Sequence, residues 1–182
     1  MSAPLNVGAQ AGCRRVHRRV VVAAAVLGIG GVAIPSIQQP APRLVWNASA
    51  SAPIGLYLVQ PGRVAVRGDL VLARTPDAVV ELAAARGYLP AGVPLVKRVA
   101  ALSGDVVCGD RAAVSINGVP VAVRLDKDSH GRPLSAWEGC RVLLPGDLFL
   151  LMADVPGSFD SRYFGPVQAG TIIGRLVPLW TD

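Results

Sequence analysis

Three short stretches of this 182-residue chain carry side chains that could do chemistry. In the first, Asn47 to Tyr57, Ser51 stands two residues before Pro53, which fixes the local backbone, and four before Gly55, which permits a tight approach or a positive φ. Such a turn can hold a hydroxyl outward in one pose, although Ala/Ser/Pro stretches also serve as plain linkers. In the second, Leu95 to Asp105, period-two alternation puts Leu95 and Val99 on the same face of an apolar strand as Lys97. That lysine can be buried and made basic, or it can be a strand-end residue reaching solvent; the strand alone leaves both readings open. The third, Ser158 to Gly165, adds a hydroxyl at Ser158 and the charged pair Asp160 and Arg162.

A serine that attacks an acyl carbon needs a base, a pair of donors for the oxyanion and a groove for the substrate. A Ser/His/Asp triad fails on supply, because the histidines are His17, in a basic N-terminal segment, and His130, in a polar loop with no helper motif. Lysine can replace histidine only when neutral, and a free lysine, with a pKa of about 10.4, is under about a thousandth neutral at pH 7. Burial must lower that value. Lys97 is placed for it, whereas Lys127 lies between Asp126 and Asp128, which favour its charged form.

In this order the three stretches resemble the serine/lysine signal-peptidase family. The Ser-x-Pro-x-Gly-Leu-Tyr form at Ser51 is similar to its TraF-type branch, the peptidases of conjugative-transfer systems, where general signal peptidases carry Ser-Met-x-Pro. The resemblance runs from about Asn47 to Trp180. It implies Ser51 as nucleophile and Lys97 as general base, with the Ser51 N–H and the Ser49 hydroxyl as oxyanion donors. It further implies that Ser158 orients the Lys97 amine and that Asp160 and Arg162 form a supporting ion pair. The implied substrate is the pro-form of a conjugative pilin or another exported protein, whose trimmed ends such enzymes can join. Two other readings are a general signal peptidase and a non-catalytic, membrane-tethered β-domain of a conjugation or secretion apparatus. The reading calls for no cofactor. The isolated cysteines and histidines lack zinc-ligand spacing, so no metal site is expected.

Net charge is +6, but Arg14, Arg15, Arg18 and Arg19 supply four of the 18 basic residues, leaving 14 against 12 acidic ones. That balance excludes the basic footprint of a nucleic-acid-binding domain. An uncharged apolar run from Val20 follows the arginines, the pattern of an export signal whose N-terminus stays in the cytoplasm. The expected organisation is a basic cytoplasmic segment (1–19), a hydrophobic signal or anchor (20–38) and an exported serine peptidase domain (39–182) on the periplasmic side of the inner membrane. Export favours a disulfide between Cys108 and Cys140, with Cys13 left behind; two buried free thiols are the alternative in a cytoplasmic domain. Chain entropy gives such a bridge about 3 to 4 kcal/mol.

The elements that position these residues are mostly strands. Gly-Asp turns at 68–69, 104–105 and 146–147 each launch an apolar run. Asn117-Gly118 predicts a two-residue hairpin, with Pro120 marking an edge strand. Thr75-Pro76-Asp77 predicts a helix with Thr75 as cap, ended by Gly87. The last strand is expected over Thr171 to Pro178, and the Pro- and Ala-rich lead from Pro35 to Ala48 carries no predicted strand. The resemblance thus implies a mainly β, signal-peptidase-like domain with one short helix and a small accessory cap around Leu125 to Gly139, preceded by an N-terminal hydrophobic helix.

Overall fold

The computed structural model of the chain describes residues 17–31 and 41–182. Two units divide at Ala41 and Pro42. In the first, helix α1 covers residues 17–31, and Val20, Val26, Leu27 and Ile29 along it are exposed. No helix among the described residues is long and apolar enough to cross a membrane. Cys13, Arg14, Arg15 and residues 32–38 of the expected anchor lie outside the described residues.

The second unit is built from two antiparallel sheets. Its strands are β1 (Leu44–Asn47), β2 (Gly55–Gln60), β3 (Leu70–Ala73), β4 (Leu95–Leu102), β5 (Val106–Gly109), β6 (Ala113–Ile116), β7 (Val119–Val123), β8 (Gly139–Val142), β9 (Asp147–Leu151), β10 (Val167–Gln168) and β11 (Ile172–Thr181). Helix α2 (Asp77–Ala85) lies between β3 and β4, and α3 (Ser161–Phe164) follows β9. The larger sheet runs β1-β2-β11-β3-β4-β9-β10 and the smaller β7-β6-β5-β8. The fold is therefore mainly β.

Alternation along the strands builds the core on both faces of the large sheet. Tyr57, Val59, Leu72, Val96 and Leu176 pack together with Ala52 and Met152, while Val71, Ala73, Val99, Leu148 and Leu150 form a separate cluster. Phe149 and Leu151 of β9 join Ala101 to Val107, Val114 and Ile116, which knits the small sheet onto the large one.

The turn signals are where the sequence places them. Asn117 and Gly118 both have positive φ, 52° and 80°, as a two-residue hairpin with matching twist requires. Pro120 lies in β7, an edge strand, where its missing N–H costs no ladder bond. Helix α2 begins at Asp77, so Pro76 rather than Thr75 occupies the cap position and no side chain caps it. The Thr75 hydroxyl is drawn off to the Val93 carbonyl instead. Two strands exceed expectation. Leu44–Asn47 pairs with β2, and β11 continues past Pro178 through a bulge, so Trp46 and Trp180 flank Leu56 and their rings lie 5.7 Å apart.

Residues 125–138 form an irregular segment with one isolated bridge, Lys127 to Pro133. It is anchored by Trp137, whose ring packs 5.7 Å from Phe149 and against Gly165 so closely that a Cβ there would meet it at 2.7 Å. Cys108 and Cys140 face each other across β5 and β8 and are bonded, with sulfurs 2.06 Å apart.

Candidate active site

Ser51 sits on the turn between β1 and β2, and one buried asparagine shapes that turn. The Asn47 amide donates to the carbonyls of Ser49 (3.0 Å), Ala52 (3.1 Å) and Pro53 (2.9 Å), while its oxygen accepts the Ser49 N–H at 3.1 Å. The Tyr57 hydroxyl clamps the Pro53 carbonyl from below at 2.7 Å. Gly55 closes the turn at φ 151°, where any Cβ would stand 2.1 Å from the Trp180 carbonyl of β11. The chain can pass there only as glycine.

Lys97 lies in mid-β4. Leu95, Val96 and Val99 are buried with it and Arg98 is exposed, donating to the Gly68 carbonyl. Lys97 itself is 3% exposed, and its amine reaches Ser51 Oγ at 3.1 Å and Ser158 Oγ at 2.8 Å. Burial drives its pKa down to about 8; the Asp160 carboxylate pulls it back and the Arg162 guanidinium pushes it further down. At that value about a tenth of the amine is neutral at pH 7, a hundredfold or more above a free lysine.

The Ser49 hydroxyl lies 2.9 Å from Ser51 Oγ and accepts the Ser51 N–H at 3.3 Å. The two groups expected as oxyanion donors thus converge beside the expected nucleophile. An incoming carbonyl oxygen would take the place of their mutual bond.

Behind the amine, Asp160 and Arg162 are completely buried. They pair through two bonds, Nε to Oδ1 at 2.8 Å and Nη2 to Oδ2 at 3.0 Å. Arg162 also donates to the carbonyls of Val123 and Met152, both at 2.8 Å, and Asp160 caps α3 by accepting the Arg162 N–H. The pair therefore ties three chain segments together under Ser158. This is a buried, fully bonded pair and not a surface one, so removing one partner would strand a charge in the core.

Ser49, Ser51, Lys97 and Ser158 open into one cleft of about 750 Å³, whose other walls include Trp46, Leu95 and Val155. His130 is exposed and does not line it. The disulfide lies in the small sheet, apart from these residues. Three contributors escaped the sequence reading as site residues: Asn47, Tyr57 and Ser161, whose hydroxyl accepts the Leu150 N–H at 3.0 Å. Asn47 had a local signal, an Asx residue two before a serine. The role of Tyr57 depends on which way β2 faces and had none.

A β-rich body carrying a serine hydroxyl against a buried lysine amine in an apolar cleft has the makings of an acyl-transfer enzyme. The family model described as "Signal peptidase, peptidase S26" matches residues 14–180, and the chain belongs to that family of peptidases. Among curated proteins it is 38% identical to a conjugal transfer protein TraF of Agrobacterium fabrum, over 74% of this chain and 81% of that one. A probable conjugal transfer protein TraF of Sinorhizobium fredii is 36% identical over 70% and 72%. A plasmid transfer protein TraF of Escherichia coli is 31% identical over 92% and 98%. Together these make it a TraF-type member of the family.

Proposed function

We propose that this chain is a serine endopeptidase in which Ser51 and Lys97 form a catalytic dyad that processes the precursor of an exported conjugative pilin. The observation that carries the reading is the Lys97 amine, buried and depressed in pKa, bonded at once to Ser51 Oγ and Ser158 Oγ. The conjugal and plasmid transfer names of the relatives support a substrate belonging to a conjugation system.

In the reaction, neutral Lys97 takes the Ser51 proton as Oγ attacks the scissile carbonyl. The resulting oxyanion is stabilised by the Ser51 N–H and the Ser49 hydroxyl. Collapse expels the amine, which receives its proton from the Lys97 ammonium. Water then releases the acyl chain, or an amine of the same substrate does so and closes a ring. Ser158 keeps the amine aimed, and Asp160 and Arg162 hold the segment that carries Ser158. Residues 20–38 serve as export signal or anchor, and 39–182 work on the periplasmic side of the inner membrane.

The test follows processing of a conjugative pilin precursor co-expressed with this chain. Ser51→Ala and Lys97→Ala should each abolish it, and the double variant should be scarcely worse, because the two act as one unit. Ser49→Ala should cost about a hundredfold to a thousandfold. Activity should climb with pH through about 8 as Lys97 loses its proton. Full processing by folded Lys97→Ala would refute the dyad.

A further inference from the structure

A group of aromatic rings in the cleft takes no part in the chemistry above. Tyr88, in the segment after α2, lines the cleft together with Phe159 and Tyr163. The Tyr88 and Phe159 rings are 5.1 Å apart, and Phe159 stacks on Tyr163 at 6.1 Å with their planes 8° from parallel. Phe159 directly follows Ser158, the hydroxyl that holds Lys97, and the rings line the same cleft as Ser51 and Lys97. Both phenol oxygens are engaged elsewhere. Tyr88 donates to Asp128 Oδ2 at 2.5 Å, and the Tyr163 oxygen accepts the Leu125 N–H at 3.3 Å. What the rings turn toward a ligand is mainly carbon, with the Tyr163 O–H the one donor left among them.

Tyr88 is also held in place. Asp128, whose side chain is 6% exposed, accepts from Arg132 Nε at 2.6 Å as well as from Tyr88. Arg132 in turn donates to the Arg86 carbonyl at 2.9 Å and lies over the Tyr88 ring at 5.5 Å. Arg86 returns a bond to the Pro133 carbonyl at 2.6 Å. These contacts tie the segment after α2 to residues 125–138, and charge assistance makes the Asp128 bonds the strong ones.

We propose that Tyr88, Phe159 and Tyr163 form a subsite that takes a large apolar side chain of the peptide substrate, and that Asp128 is a positioning residue holding the Tyr88 ring in it. The proposal rests on the peptidase reading above and assigns its cleft a preference. A substrate side chain of the leucine or phenylalanine class buries its carbon against three rings; a small one leaves them wet. Differences in apolar fit of this kind discriminate by about 10- to 200-fold.

The experiment gives the full-length chain a proteome-derived peptide library and reads cut sites by mass spectrometry, with Ser51→Ala in parallel. The cuts that need Ser51 should show large apolar residues enriched at one fixed distance from the cut. With a matched peptide pair carrying leucine or alanine there, Tyr88→Ala should lower the leucine-to-alanine ratio of kcat/KM about tenfold. Asp128→Ala should lower it in the same direction and by less. The double variant should show a ratio no lower than Tyr88→Ala alone, because Asp128 acts through the ring. A wild-type profile with no large apolar preference at any position, an unchanged ratio in Tyr88→Ala, or additive losses in the double variant would overturn the proposal. Cuts equally made by Ser51→Ala would instead refute the dyad itself.

Discussion

Replacing Lys97 by methionine should kill the enzyme and yet stabilise the protein at neutral pH. Methionine matches the length of the lysine stem and carries no charge. Lys97 has a folded pKa of about 8 against an ordinary 10.5. Below pH 8 both folded and unfolded chains hold the proton, and the folded one does so at a disadvantage on the order of 3 kcal/mol. Between pH 8 and 10.5 the unfolded state binds more protons than the native state, so native stability climbs with pH until the disadvantage is gone. Methionine removes it at every pH, but leaves the Ser158 hydroxyl without its amine partner, a loss of about 1 kcal/mol or more. The variant should therefore be more stable than wild type by about 1 to 2 kcal/mol at pH 7, and this lead should vanish and reverse toward pH 10.5. Parallel denaturant titrations at pH 7, 8.5 and 10 would measure it, with all other titrating groups cancelling in the difference. A stability difference that does not change with pH would refute the depressed pKa, and with it the argument that Lys97 is fit to be a base.

Asn47→Ala removes four bonds that shape the Ser51 turn and should cost about 2 to 3 kcal/mol of stability. It should also slow processing by about a hundredfold through misplacement of the hydroxyl, and wild-type turnover would show that the turn holds without it. Arg162→Ala strands the Asp160 carboxylate in the core and should destabilise by about 3 to 5 kcal/mol in denaturant unfolding. A loss below about 1 kcal/mol would place the pair outside the scaffold of the site.

The pieces of the site were legible in the sequence wherever a local rule or a motif governed them. Ser51 is marked by Pro53 and Gly55, and the closeness of Gly55 to β11 is a demand that only a residue without a Cβ meets. The Asn117-Gly118 hairpin is equally local, since its two positive φ values belong to the dipeptide. Lys97 could be flagged on an apolar strand, but the strand alone favoured a strand-end lysine reaching water. What settled its burial is the Ser51 turn and the Ser158 segment closing over that face of β4, and those contacts come from segments distant in sequence. Pairing likewise made a strand of Leu44–Asn47, four residues at the end of a Pro- and Ala-rich lead, by offering them the free edge of β2. Asp160 and Arg162 are two residues apart in sequence, which fits a surface pair as well as a core one. Their burial came from Val123, Met152 and Val155 closing over them from other segments. Residue type and spacing determined which groups could react; the long-range packing that removes water from the lysine, and so sets its proton affinity, was decided only when the sheets closed.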